Sequence, residues 1–260
     1  MILTQTDRNQ EVVLQTVSGS LIPQVIQLHR AVFQPDLVAC TIYACQGVDR
    51  YLANLIAYPQ FQQEHVWWGA WKGNDLAGYA HFRALPDSWH LNNIAVLPSS
   101  QGQGIGRLLW SRFYETARQR RFQRVTLDVE SDNQPAIDWY HRQGLQVTSA
   151  VWRYEKRINP DVHLAETQLC PRLVGWEQAE AWQSLYGFSH FQIQSEDQIW
   201  SIGRIGERYF TMSQPPPAEI GSALSQIDSS RYLLILSTEP LSEPGFRMLG
   251  KSLRMSGELP

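Results

Sequence analysis

Apolar and polar residues alternate weakly from Val12 to Val17, and then the period changes. Ile22, Val25, Ile26, His29, Val32 and Phe33 recur at helical spacing. Ser20 stands where an N-cap would, and Pro35 is expected to end that helix. A second helix is expected through Val48, Tyr51, Leu52, Leu55 and Ile56, up to Pro59. HVWWGAW and LAGYAHFRAL flank KGND, two β-rich runs around turn residues, which predicts a hairpin. WHLNNIAVLP is a third strand and runs into QGQGIG. The helix after it carries Ile105, Leu108, Leu109, Phe113 and Ala117 on one face. RVTLDVE reads as a strand, NQPAIDWYHRQG as a short helix and LQVTSAVWRYEK as a strand. Strand, helix, strand, helix, strand implies a partly parallel sheet with helices on both faces, an α+β fold of the three-layer type.

After Arg157 the stretch INPDVHLAETQLCP loses periodicity, and a linker is expected there, dividing the chain into residues 1–157 and 158–260. The second part is a shortened echo of the first. GLQVTSAVWRYEK and GFRMLGKSLRMSG align without gaps, and HVWWGAWKG is matched by QIWSIGRIG. A hairpin (IWSIGRIGERYFTM), a helix (AEIGSALSQI), a strand (RYLLILS) and a closing strand follow in the same order as in the first part. Where the first part has LPSSQGQGIG the second has SQPPPAEIG, and proline offers no N–H.

Composition narrows the partners. With 260 residues, 43% hydrophobic and 18% charged, the chain has room for one large domain or two small ones and suits a soluble globular protein. The formal net charge of -3 leaves no global basic surplus for a nucleic-acid backbone or an anionic membrane. The opening residues lack a secretory signal, and no apolar run approaches the roughly 18 residues of a membrane span, so a cytoplasmic protein is expected. Cys40, Cys45 and Cys170 form neither an even disulfide framework nor a zinc spacing; reduced thiols and no metal are expected.

The glycine stretch carries the chemistry. Glycine costs up to about 1 kcal/mol relative to alanine inside a helix, so Gly102, Gly104 and Gly106 call for a reason. Between a strand and a helix, unpaired backbone N–H groups and the positive helix end converge on one place, which makes an anion seat. The register fits neither GxxxxGK[ST], since Arg107 follows Gly106, nor GxGxxG, whose third glycine would come one position later.

VLPSSQGQGIGRLL resembles the V-x-P-x-x-Q/R-x-x-G-x-G/A signature of the GNAT superfamily of N-acetyltransferases. NQPAIDWYHRQGL is similar to that family's N-x-x-A-x-x-x-Y-x-x-x-G-F, with Leu145 in the phenylalanine place. The resemblance covers roughly residues 10–157. It implies the GNAT fold, acetyl-CoA as co-substrate and an amine acceptor. It further implies that Ile94, Ala95 and Val96 run beside the pantetheine, that Gln101 and the amides of Gly102, Gln103, Gly104, Ile105, Gly106 and Arg107 hold the pyrophosphate, and that Asn133 binds the same arm or caps the next helix. Tyr140 would give a proton or hydrogen bond to the departing thiolate.

The general base is open in this reading. Relatives carry a glutamate where Asn92 and Asn93 stand, and another group uses a carboxylate at the place of Asp128, which is the first candidate; Glu130, His90 and His81 follow. Asp128 also reads as a bonded strand carboxylate. Arg112, Arg118, Arg120, Arg121 and Arg124 suit a helix C-terminus or a cofactor phosphate. Trp67, Trp68, Trp71 and Trp89 read as packing, as does His29, and His141 as a surface residue. The expectation is a catalytic acetyltransferase half joined to a non-catalytic half that serves the acceptor site or association as a homodimer. An acyl-CoA-binding module without chemistry is the alternative.

Overall fold

The computed structural model describes residues 11–158, 172–195 and 198–259. Most of the expected linker, and Cys170 with it, lies outside the described residues. Among the described residues no helix is long and apolar enough to cross a membrane. The chain forms two compact units.

The first unit takes in the described residues up to Phe33, Leu52–Leu127 and Ser256 onward. Its sheet runs in the order β1 (Val12–Thr16), β2 (His65–Lys72), β3 (Asp75–Ala84), β4 (Trp89–Val96) and β5 (Arg124–Glu130), of which Arg124–Leu127 belong to this unit. The first four strands are antiparallel and β5 is parallel to β4, pairing Trp89 with Val125 and Leu91 with Leu127. The KGND turn closes the hairpin as expected, with Lys72 opposite Asp75.

Neighbouring residues of a strand face opposite sides, and β3 uses both. Phe82 meets Phe113 of helix α5 (Ile105–Gln119), ring centroids 5.1 Å apart. On the other face Tyr79 bonds to His29 of helix α1 (Ile22–Val32). Gly78 is required by close approach, because a Cβ there would stand 2.9 Å from the Ala95 carbonyl and 3.1 Å from Ile105.

Three local expectations are corrected. Ser20 is not the N-cap of α1: Gly19–Leu21 form a short 3-10 turn, Leu21 is the cap residue, and no side chain caps that end. Pro35 and Pro59 do not merely stop helices. Each opens one, α2 (Pro35–Ala39) and α4 (Pro59–Glu64), because the missing N–H costs nothing at a first helical position. Helix α3 (Val48–Ala57) ends just before Pro59, as expected. Leu108 is 42% exposed and leaves the buried face of α5 to Ile105, Leu109, Phe113 and Ala117.

The second unit comprises Gln34–Tyr51 and Asp128–Met255. Helix α6 (Gln134–Arg142) leads to β6 (Gln146–Arg157), followed by β7 (Arg172–Val174), α7 (Trp176–Tyr186), β8 (Phe188–Gln194), β9 (Ile199–Ile205), β10 (Tyr209–Met212), α8 (Ala218–Asp228), β11 (Tyr232–Ser237) and β12 (Arg247–Glu258). The strand order is β12-β6-β11-β10-β9-β8-β7. Its core gathers Tyr154, Phe191, Ile193, Ile202, Phe210, Ile220, Leu224 and Leu233. The hairpin, helix, strand and closing strand expected after Arg157 are β9, β10, α8, β11 and β12. β7, α7 and β8 come in addition. The contact division does not fall at Arg157, because β6 pairs with β11 over Trp152–Arg157 and so joins the second unit.

Candidate active site

Between β4 and α5 the backbone turns over Pro98–Ser100 and then through Gly102 and Gly104, which take φ of 75° and 81°. Only glycine adopts that region freely. Gly104 caps α5 without a side-chain bond. Among the described residues no N–H from Gly102 to Arg107 reaches a backbone carbonyl, while Leu108 begins the helical ladder by donating to Gly104. Six donors therefore lie at the start of a helix of 15 residues.

Gly106 leaves the backbone of the first helical turn open. It lies inside α5, outside the left-handed region, and a Cβ on it would meet nothing within 4 Å. Neither backbone strain nor packing asks for glycine there. A Cβ on Gly102 or Gly104 would likewise meet nothing within 4 Å. The flanking side chains brace the turn: Gln101 Nε2 donates to the Val96 carbonyl (3.3 Å), Gln103 Nε2 to the Ser99 carbonyl (3.2 Å), and Lys72 Nζ to Gln103 Oε1 (2.7 Å).

β4 carries a bulge just before the segment Ile94–Val96. His81 faces Asn93 and Phe82 faces Leu91, so Asn92 is an extra residue with no partner in the register. Ile94, Ala95 and Val96 pair on their β3 edge with Ala80, Tyr79 and Gly78.

In the second unit, Tyr140 is the buried residue near the end of α6, 6% exposed, and burial pushes its phenol well above the ordinary tyrosine range. It keeps its proton at any working pH. Asn133 Oδ1 accepts from the Ala136 N–H at 3.3 Å, the cap expected for it. Gly144, at φ 89°, supplies the left-handed residue after α6. Asp128 is held by Arg254, whose Nε and Nη2 donate to its two oxygens at 2.5 and 2.8 Å, so accepting a proton would mean giving up that fork. Glu130 is tied to Arg153 and, at 3.1 Å, to Ser252.

The arginine group is largely spent on packing. Arg112 covers Trp68 and pairs with Glu115, Arg120 covers Trp89 and donates to the carbonyls of Gln62 and Gln63, and Arg124 pairs with Asp87. Trp67, Trp71 and Trp89 are buried, as expected of packing residues. His141 Nδ1 meets the Leu145 carbonyl at 2.9 Å. His65 was not expected in the site. It stands opposite Arg83, two positions from Trp67, the residue paired with His81, because the hairpin register shifts between Ala70 and Trp71.

The second part's counterpart of the glycine turn is closed to this use. Pro215, Pro216 and Pro217 precede α8, Glu219 sits in its first turn, and the parallel strands β10 and β11 stay paired from Tyr209 to Met212. A carboxylate at that helix end opposes an anion.

Residues 32–145 match the Acetyltransferase (GNAT) family. That region takes in β4, the glycine turn and α5. A Mycobacterium tuberculosis protein, N-alpha-acetyltransferase RimI, is 33% identical over 99 residues, 36% of this chain and 61% of that one. A Bacillus subtilis protein provisionally named as an alanine N-acetyltransferase of ribosomal protein bS18 is 32% identical over 75 residues, 29% of this chain and 50% of that one. The matched GNAT region thus spans less than two thirds of either relative's length. A solved tandem GNAT protein from the clavulanic acid biosynthesis pathway superposes with a TM-score of 0.69 at 13% identity, covering 96% of this chain and 99% of that chain. That likeness shows the fold, a mixed sheet with helices that extends over both parts of the chain.

Proposed function

We propose that the protein moves an acetyl group from acetyl-CoA to a primary amine, of a protein N-terminus, a lysine or a small molecule, by direct attack of the amine. The observation that carries this is a helix start with six N–H donors, in which Gly106 leaves room for a ligand to approach the backbone. The cradle fits a diphosphate: Gly102 to Arg107 would hold it, each charge-assisted bond contributing about 1.5–3 kcal/mol. Bound there, acetyl-CoA supplies an activated acyl group as a thioester. Ile94, Ala95 and Val96 would guide the pantetheine arm, with Asn133 assisting it. Tyr140 Oη, protonated throughout, would donate to the sulfur released on transfer. The relatives named for N-acetylation support the amine class.

By sequence ancestry the chain divides into a catalytic half, residues 1–157, and a degenerate half, residues 158–260, that serves acceptor recognition or association as a homodimer. A cytoplasmic location suits this co-substrate, and no nucleic acid or membrane takes part.

Calorimetry with CoA and acetyl-CoA, followed by mass spectrometry of an amine panel, tests the reading. One bound equivalent and an acetylated amine are expected; no binding heat at millimolar CoA overturns it. Asn92, Asn93 and the engaged Asp128 favour a second reading, an acyl-CoA-binding module without transfer. Binding with no acetylated amine across the panel would select it.

A further inference from the structure

No glutamate stands on β4 where a base would be needed, yet the bulge there touches a line of imidazoles. His81 is buried on β3, stacked on Trp67 at 3.9 Å, and its ring bonds to Asn92, Asn93 and His65. Asn92 Nδ2 lies 3.1 Å from His81 Nδ1, and His65 Nδ1 lies 3.0 Å from His81 Nε2. The tautomers follow from these contacts. An amide NH2 can only donate, so in the resting arrangement His81 Nδ1 accepts from Asn92 and its proton sits on Nε2, while the Asn93 bond favours the ring once it is protonated. His65 Nδ1 must then accept in turn, which puts the second proton on His65 Nε2. That residue is half-buried at the start of β2, so the line runs from the Asn92 bulge to a side chain that is partly open to solvent.

We propose that His81 and His65 form a proton wire that takes the proton from the acceptor ammonium at His81 Nδ1 and releases another to solvent at His65 Nε2, in place of a carboxylate base. The proposal rests on the acetyl-transfer reading. Asn92 Nδ2 occupies the place that an ammonium N–H, or a water carrying its proton, would take, and Asn92 retains its 2.9 Å bond to Asn93 Oδ1. As the ammonium N–H bond breaks, a bond forms at His81 Nδ1. The His81 Nε2 proton passes to His65 Nδ1, and the His65 Nε2 proton passes to water. Each nitrogen keeps its electron pair, the amine becomes neutral, and both rings end neutral with the proton on the other nitrogen. After the product leaves, exchange with water at both ends restores the first arrangement.

The surroundings suit a wire better than a base that stores its proton. Burial, then the neighbouring His65, Arg83 and His90, hold His81 well below the usual histidine range, with the Asn93 bond opposing. Burial and Arg83 lower His65 too, while Glu64 raises it. Among the described residues no carboxylate bonds to either ring. An imidazolium would be costly here, and concerted passage never forms one. The inner end, Asn92, lies two residues before Ile94, where the pantetheine segment begins.

The test uses the full chain with His65→Phe and, should that variant fold poorly, His65→Gln. With acetyl-CoA and an amine that the wild-type protein acetylates, kcat/KM near pH 7 is expected to fall about 10²-fold. It should recover as pH rises toward the amine's own pKa, about 8 for an α-amino group or about 10.4 for a lysine, with acetyl-CoA affinity unchanged. A purely structural role would lower the rate equally at all pH values. Independently, ¹⁵N spectra of the histidines in the ligand-free protein should show His81 neutral at pH 7 with its proton on Nε2. Wild-type turnover with an unchanged variant pH profile, or a His81 proton on Nδ1, overturns the wire alone. A wild-type protein that acetylates no amine overturns the transfer reading and the wire with it.

Discussion

His29 Nδ1 on α1 and Tyr79 Oη on β3 lie 2.5 Å apart, both buried. Burial, with some help from Arg30, lowers the His29 pKa from 6.5 to about 4. As pH falls below 6.5 the unfolded chain binds a proton that the folded one refuses until about pH 4. Stability present above pH 6.5 is therefore lost across that window, by up to about 3 kcal/mol. Urea unfolding of wild type and His29→Gln from pH 7 to pH 4 checks this: the variant should show the shallower decline.

Gly106→Ala should separate folding from binding. The helix loses its glycine penalty, so thermal stability should hold or rise by up to about 1 kcal/mol. A methyl group in the open cradle should weaken acetyl-CoA at least tenfold by calorimetry. Unchanged affinity would leave Gly106 without an explanation.

Tyr140→Phe removes one hydroxyl from a buried ring. Turnover should fall by about 10² to 10⁴ with acetyl-CoA affinity little changed, as steady-state kinetics and calorimetry can show together.

Asp128→Asn tests the carboxylate that the family resemblance put forward as base. Its side chain is 40% exposed and paired with Arg254, so the change should cost under about 1 kcal/mol. Turnover is expected to stay within about threefold. A fall of about 10² or more would return proton transfer to this residue.

Glu155 is an anchor of the second unit. It accepts from Tyr209 Oη at 2.8 Å and is paired with Arg208 and Arg247. Burial would raise its pKa, but the bonds from Arg247 and Tyr209 and the arginine charges outweigh that and hold it below the usual carboxylate range. Its contribution is present at neutral pH and lost as acid titrates it in the folded state. Glu155→Ala strands the Tyr209 hydroxyl and should cost about 1–3 kcal/mol in chemical denaturation.

The hairpin about KGND, the glycine turn and α5 were legible because turn residues and periodicity agreed there. Pro35 and Pro59 misled, since the same residue that stops one helix starts the next. β8 escaped notice because its buried face reads Ser189, Phe191, Ile193, where a polar residue breaks the apolar alternation. The bulge at Asn92 had no signal in the local sequence, being a mismatch of count between β3 and β4. Without it the contact between Asn92 and His81 could not be foreseen. The Arg254 fork on Asp128 joins residues 126 positions apart, beyond the reach of any local pattern.

The triple proline before α8 sets a chemical limit on what that helix end can hold. To hold an anion at that helix end, the second part would need several amide protons, the loss of Glu219 and a parting of β10 from β11. On the proposed reading the surface around α8 has no cofactor to hold, which leaves it open to the acceptor or to a second copy of the chain.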